Sequence, residues 1–297
     1  MPTAPSAWEL IRSLGAVVLT PPPGNHALCA ALDLPTPTGA EHTDAFVLSA
    51  PPHAAIHLGP EGKLGGEGLD RVAGFWRVLG LQAPGDADHL GALMMLYAEL
   101  GEAEDSAADE RAQAQLHRAR AALFHEHIWS WAPGYLLAVA ELGIESAAAW
   151  ARLTEEALRA EYADLGPAEM LPLALRVAPP GIDVADSLDD TLDALVAPVR
   201  CGLVLTYRDL AACGRQVGVG LRRGERRFAL RAMLEQDAPA TLRWLSGYAR
   251  RLSQRCPSAP RTVNDPCTWW SRRAANTAGV LETLAAAGTS RREELRC

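Results

Sequence analysis

Apolar residues recur along most of the chain at spacings of three and four positions, which is the pattern of an amphipathic α-helix. No set of alternating strands, no heptad run and no internal repeat is present. The pattern predicts an all-α fold, a single compact bundle of about ten to twelve helices. We expect one domain over residues 1–297, which could divide into sub-lobes at 1–180 and 181–297. The clearest helical runs are residues 7–19, 67–79, 88–100, 107–129, 225–236, 239–254 and 269–286.

Proline and glycine mark the breaks between the predicted helices. Gly80 ends the run at 67–79, and Pro133 ends the run at 107–129, because proline removes a backbone hydrogen bond. Residues 54–68 hold five glycines and one proline and are predicted to form a loop. That loop lacks the Gly-Lys-Ser/Thr ending of a phosphate-binding loop, so a connector is the better interpretation.

The charge of the chain is uneven. The net charge is −8, and residues 1–150 hold 7 basic and 18 acidic side chains. Phosphate backbones are bound by basic patches, so this acidic half disfavours nucleic acid as a partner. It suits a basic peptide, because opposite potentials steer encounter, although solubility alone would also explain it.

Cysteine usage and the apolar runs indicate a cytoplasmic protein. The chain has six cysteines and no Cys-x-x-Cys pair, which favours reduced thiols over a disulfide framework. The N-terminal residues lack a basic region followed by an apolar run, so no secretory signal is expected. No apolar run approaches the ~18 residues of a membrane span.

Two segments concentrate the side chains that could carry chemistry. The first is residues 86–89, where Asp86 or Asp88 is predicted to cap a helix that carries Leu93 on its apolar side. The second is residues 124–133, where His127 shares a face with Phe124, Ile128 and Trp131. His125 and His127 lie about 200° apart on a helix, which disfavours a metal clamp made from this pair.

Several alternatives remain open on these residues alone. A metal or acid–base site could still form if the fold brought Asp88, His89, Glu126 and His127 together, as in a helical metal-dependent hydrolase. No Gly-x-Ser-x-Gly motif and no cysteine in a nucleophile setting supports covalent catalysis. A non-catalytic helical scaffold is the third possibility.

The motifs in these segments resemble those of the TorD/DmsD/NarJ family of chaperones for molybdenum-cofactor enzymes. Residues 84–90, Pro-Gly-Asp-Ala-Asp-His-Leu, are similar to its acidic-x-x-Asp-His motif before an apolar helix. Residues 124–133 are similar to its Phe-x-x-x-His-x-x-x-Trp-x-Pro pattern, and Phe75-Trp76 also fits. Residues 198–202, 205–210 and 224–234 resemble longer relatives that serve dehydrogenase-like molybdoenzymes. Residues 52–55 depart from the family, where an aromatic followed by Ala-Ser is common.

The resemblance implies a TorD-like helical fold and a non-enzymatic role with no cofactor of its own. Family members bind the catalytic subunit of a molybdoenzyme and often its twin-arginine leader, support cofactor insertion and delay export. They occur as monomers or dimers. In this picture Asp88 pairs with the leader's charge, His89 and His127 fix polar groups, and Trp76 and Trp131 form apolar walls. The expected client-binding residues, which should line one groove, are Asp86, Asp88, His89, Trp76, Leu93, Glu126, His127, Trp131 and Pro133.

Overall fold

A computed structural model describes residues 6–255 and 264–294, with side chains described as far as residue 288. Its contacts divide the chain into two compact units. Unit 1 comprises the described residues of Met1–Ile56 and Leu64–Arg176, and unit 2 comprises those of His57–Lys63 and Val177–Cys297.

Unit 1 contains ten helices and two π-helical segments, with the last residues of α4 extending into unit 2. The elements are α1 (Ala7–Leu19), α2 (His26–Ala31), α3 (Gly39–Thr43), a π segment (Asp44–Ser49), α4 (Ala54–Leu58), α5 (Gly66–Val78), α6 (Leu90–Asp105), α7 (Glu110–Ala122), a π segment (Leu123–Ile128), α8 (Ala132–Ala140), α9 (Glu145–Leu165) and α10 (Leu173–Arg176).

Helices α1 and α6 cross at a pair of glycines at the centre of unit 1. A Cβ atom added to Gly91 would lie 2.5 Å from the carbonyl oxygen of Gly15, so only glycine allows the backbones to approach this closely. Trp150 of α9 donates its indole N–H to the carbonyl oxygen of Leu14 at 2.9 Å. The core of the unit therefore forms around α1, α6 and α9, and its largest fully buried side chains include Trp131, Trp150, Tyr97, Tyr135 and Phe124.

A buried ionic network joins α6, α7 and α9. The guanidinium of Arg120 donates to Glu104 at 2.7 Å and to the hydroxyl of Tyr97 at 2.7 Å. Tyr97 in turn donates to the carboxylate of Glu161 at 2.7 Å. Because Arg120 is only 3% exposed, these partners supply the hydrogen bonds that water would otherwise provide.

Unit 2 consists of α11 (Leu188–Val196), α12 (Pro198–Cys201), α13 (Tyr207–Val217), α14 (Arg226–Arg255) and α15 (Pro266–Glu294). Helix α14 is interrupted at Asp237, whose φ of −152° and ψ of 89° are not helical. The carboxylate of Asp237 accepts the backbone N–H of Ala240 at 3.2 Å and so caps the second helical run. The first turn of that run contains a proline. The predicted break between 225–236 and 239–254 is therefore confirmed.

The all-helical prediction is confirmed for the described residues, which contain no strand and only an isolated bridge between His53 and His89. The predicted helix count was too low, because the described part of the chain forms fifteen α-helices. Residues 54–58 form α4 and are not the predicted loop. Helices this short are marginal alone and depend on tertiary packing, so periodicity does not reveal them. Among the described helices, none is both long and apolar enough to cross a membrane.

Candidate functional site

Helix α6 is capped by a histidine, which corrects the prediction that Asp86 or Asp88 is the cap. His89 is the N-cap residue, with extended backbone angles. Its ring Nδ1 accepts the backbone N–H of Gly91 at 3.0 Å. The imidazole acts here as the hydrogen-bond acceptor that serine or aspartate usually supplies, and this requires Nδ1 to be unprotonated.

The Asp88 carboxylate points inward and forms hydrogen bonds with the segment that leads into α4. One oxygen accepts the backbone N–H of Ala55 at 2.9 Å, and the other lies 3.2 Å from Nδ1 of His53. The backbones also meet, because the N–H of Ala54 donates to the carbonyl oxygen of Asp88 at 3.0 Å. Asp88 is 2% exposed, so its direct partners are these internal groups.

Burial and hydrogen bonding set the charge of this cluster. Burial raises the pKa of Asp88, but the hydrogen bonds from His53 and Ala55 outweigh it and leave the pKa below its ordinary value. Burial, together with the charge of His53, lowers the pKa of His89 to about 4. Around neutral pH the cluster therefore holds an ionised Asp88 beside a neutral His89.

The end of α5 lies against residues 86–89. Trp76 is half-buried and donates its indole N–H to the carbonyl oxygen of Ala87 at 3.3 Å. Beyond it, Val78 is 84% exposed and Leu81 is 41% exposed. Asp86 is also exposed. This part of the chain therefore presents apolar side chains and a carboxylate to solvent.

The second motif segment is held mainly by internal contacts. The ring of His127 lies 5.0 Å from that of Phe75 between centroids, and burial lowers the His127 pKa to about 4. Trp131 donates its indole N–H to the carbonyl oxygen of His127 at 2.8 Å. Glu126 is half-buried, and its carboxylate accepts the backbone N–H of Leu173 at 2.7 Å.

Helix α5 contacts both motif segments through adjacent residues, with Phe75 against His127 and Trp76 against Ala87. Of the nine residues expected to bind a client, Asp86, Trp76 and Glu126 retain the most access to solvent. Their binding role stays a prediction. The remaining residues, Asp88, His89, Leu93, His127, Trp131 and Pro133, are buried.

Sequence reasoning missed His53 and Phe75 as direct partners of the motif residues. His53 lies in the segment 52–55 that departs from the family pattern, and its ring lies 5.0 Å from that of His89 between centroids. Phe75 was noted only as part of the Phe75-Trp76 resemblance to the family, and not as a partner of His127. The departure at 52–55 was the one signal that could have drawn attention to His53.

The two histidines of the second segment point to different helices, as predicted. The His125 ring lies 6.1 Å from that of Tyr162 on α9, whereas His127 contacts Phe75 on α5. Within residues 6–255 and 264–288, no group of three or more His, Cys, Asp or Glu side chains is placed to hold a metal ion.

The fold and these contacts define an all-α protein in which one helix, α5, contacts both motif segments. Residues 25–136 match the protein-family model described as nitrate reductase delta subunit. This is a molybdoenzyme chaperone family related to TorD and DmsD. The match covers less than half of the chain, and it includes both motif segments. No curated protein matches this sequence significantly.

Proposed function

We propose that the chain is a cytoplasmic, non-catalytic assembly chaperone for the catalytic subunit of a molybdenum-cofactor oxidoreductase. It binds that subunit, and its twin-arginine leader where one is present, supports cofactor insertion and delays export. The observation that carries the proposal is the family match over residues 25–136, within which residues 86–89 and 124–133 both fall.

The surface around Trp76 fits the chemistry of such a leader. Trp76, Val78 and Leu81 offer apolar contact area, and Asp86 adds an exposed carboxylate. A leader segment combines arginines with an apolar stretch, which can dock as a helix in an apolar groove. Carboxylates pair with guanidinium groups through charge-assisted hydrogen bonds. We define the leader surface as Trp76, Val78, Leu81 and Asp86.

Co-purification tests the chaperone role. The tagged full chain is expressed in the organism that naturally produces it, and the bound proteins are identified by mass spectrometry. We expect the catalytic subunit of a molybdoenzyme to be enriched in its cofactor-free form. If no molybdoenzyme subunit is retained, and if deletion of the gene leaves all molybdoenzyme activities unchanged, the chaperone role is wrong.

Peptide titration tests the leader surface separately. Calorimetry compares a synthetic leader peptide with the same peptide carrying two lysines in place of its arginines. We expect Trp76→Ala and Asp86→Asn to weaken binding about tenfold, which is the effect of losing about 1.4 kcal/mol. The matched controls are Glu156→Gln, an exposed carboxylate on α9, and Val184→Ala in unit 2. If the controls weaken binding as much as the two variants, the leader surface is wrongly placed.

A further inference from the structure

His53 is held in a fixed position beside the turn formed by residues 86–89. An isolated antiparallel bridge pairs its backbone with that of His89. The N–H of the next residue, Ala54, donates to the carbonyl oxygen of Asp88 at 3.0 Å. The two rings also meet, because the imidazoles of His53 and His89 lie 5.0 Å apart between centroids. The side chain of His53 therefore has a defined place next to the first motif segment.

The imidazole of His53 turns one nitrogen inward and leaves the other available. Its Nδ1 lies 3.2 Å from the carboxylate of Asp88, which is ionised around neutral pH and can only accept a hydrogen bond. The proton of the neutral ring therefore lies on Nδ1, and Nε2 carries a lone pair. This contact is the one hydrogen bond that the ring forms with the described residues. Nε2 is accessible to solvent, and the side chain as a whole is 15% exposed.

The negative charge behind this ring has no basic side chain to balance it. Among the described residues, Asp88 forms its ion-pair contact with His53, and no arginine or lysine pairs with it. A carboxylate that accepts the Nδ1–H bond makes the opposite ring nitrogen more basic. Nε2 of His53 is thus suited to a cationic N–H donor. A guanidinium fits best, since arginine is always charged and presents five N–H groups.

His53 and the leader surface meet at the same turn. The N–H of His89 donates to the carbonyl oxygen of Asp86 at 3.0 Å, which closes residues 86–89 into one turn. The ends of such a turn lie within about 7 Å of each other. Trp76 donates to the carbonyl oxygen of its second residue, and His53 contacts the carboxylate of its third. Three residues of an extended peptide span about 10 Å, so two consecutive arginines can reach both acceptors of this turn together.

We propose that His53 belongs to the leader-binding site, where its Nε2 accepts a hydrogen bond from the guanidinium of one leader arginine while the carboxylate of Asp86 pairs with the other. This inference rests on the proposed function and adds to it a residue that distinguishes the two arginines. Lysine carries the same charge but is more strongly hydrated, so it is the poorer ligand for a half-buried nitrogen. His53 therefore selects arginine at one of the two positions.

Asparagine and glutamine at position 53 separate recognition from a structural role. His53→Asn keeps an amide N–H near the place of Nδ1 and can still donate to Asp88, but it has no group in the place of Nε2. His53→Gln reaches the place of Nε2 with its amide. We expect His53→Asn to weaken binding of a synthetic twin-arginine leader peptide about tenfold in calorimetry, with a smaller loss for His53→Gln. If His53 only holds Asp88 in place, the order of the two variants is reversed, and this result overturns the proposal.

Peptides that lack one arginine identify the partner of His53. Each of the two arginines is replaced by glutamine in turn, and each peptide is titrated against the wild-type chain, His53→Asn and Asp86→Asn. The effect of His53→Asn should disappear with one peptide and that of Asp86→Asn with the other, because a double-mutant cycle isolates a direct pair. Equal effects of His53→Asn on both peptides contradict the pairing.

His117→Asn is the matched control. His117 also places Nδ1 beside a carboxylate, 2.9 Å from that of Glu104, but it lies on α7. Its substitution should leave the affinity for the peptide unchanged, and urea denaturation checks that every variant is folded. If the wild-type chain binds the leader peptide and His53→Asn binds it equally well, the inference is wrong and leader binding stands. If the wild-type chain binds no leader peptide, both are wrong.

Discussion

The imidazole of His127 packs against the ring of Phe75, and this contact joins the second motif segment to α5. His127 is 8% exposed and lies beside the positive charge of Arg71, so protonation is disfavoured first by burial and then by repulsion. His89, the cap of α6, has a similarly low pKa of about 4. Both motif segments thus depend on a neutral histidine, and this has consequences for stability.

Stability should fall as the pH drops from about 6.5 to about 4. The unfolded chain binds a proton at each histidine below its ordinary pKa of 6.5, whereas folded His89 and His127 bind one only near 4. Unfolding takes up protons in this window, so its free energy decreases with acid. We expect a loss of about 2 kcal/mol per histidine between pH 7 and pH 5, measured by urea denaturation.

The variant His127→Gln isolates the contribution of one histidine. Burial also lowers the pKa of His42 and His125, and these residues make the free energy of unfolding depend on pH in the same direction in both proteins. The variant should therefore lose less stability between pH 7 and pH 5 than the wild-type chain. Parallel pH profiles for the two proteins would show that His127 is not held neutral.

Removal of the Asp88 carboxylate should destabilise unit 1. Asp88→Ala leaves the N–H of Ala55 without its acceptor in a buried position, at a cost of about 1–3 kcal/mol. Chemical denaturation measures this cost, and Asp86→Ala serves as the control because Asp86 is exposed. Equal unfolding free energies for the two variants would contradict the internal role of Asp88.

The crossing of α1 and α6 should not tolerate a methyl group. In Gly91→Ala the new Cβ meets the carbonyl oxygen of Gly15 at 2.5 Å, and we expect a loss of about 1–3 kcal/mol despite the better helix propensity of alanine. Gly134→Ala in α8 has no atom within 4 Å of the new Cβ and should gain about 0.5–1 kcal/mol. Thermal melts check this: Gly91→Ala should melt at a lower temperature than the wild-type chain, and Gly134→Ala at a higher one.

Breaking the ionic network should cost more than removing a surface charge. Arg120→Met leaves the carboxylates of Glu104 and Glu161 without their cation, and we expect about 3–5 kcal/mol of destabilisation. Arg118→Met, two residues earlier on α7 and exposed, should stay within about 0.5 kcal/mol of the wild-type chain. Urea denaturation distinguishes the two, and similar midpoints would argue against a structural network.

The helices of this chain were predictable where apolar periodicity reports burial. Helix α1 occupies the predicted residues 7–19, and α5 is displaced by one residue from the predicted 67–79. The extension of α7 ends in a π segment, where the N–H of Trp129 reaches the carbonyl oxygen of Phe124 at 2.7 Å. That local change from α-helix to π-helix depends on packing around Phe124, and the spacing of apolar residues in the sequence does not reveal it.

The inward direction of Asp88 was not predictable, because its partners lie far away in the sequence. Asp88 and His53 are 35 positions apart, and Asp88 and Ala55 are 33 apart. A local pattern of Asp-His before an apolar run indicates a cap, and it fixed the start of α6 closely. It contains no information about which of the two side chains performs the capping.

The contact between His53 and Asp88 also bears on how this protein can change over evolutionary time. His53 lies in the segment that departs from the family pattern, and it touches the residue at the centre of the most specific motif. A substitution at either position removes a partner that the other needs. Relatives that carry histidine at position 53 should therefore also carry aspartate at position 88.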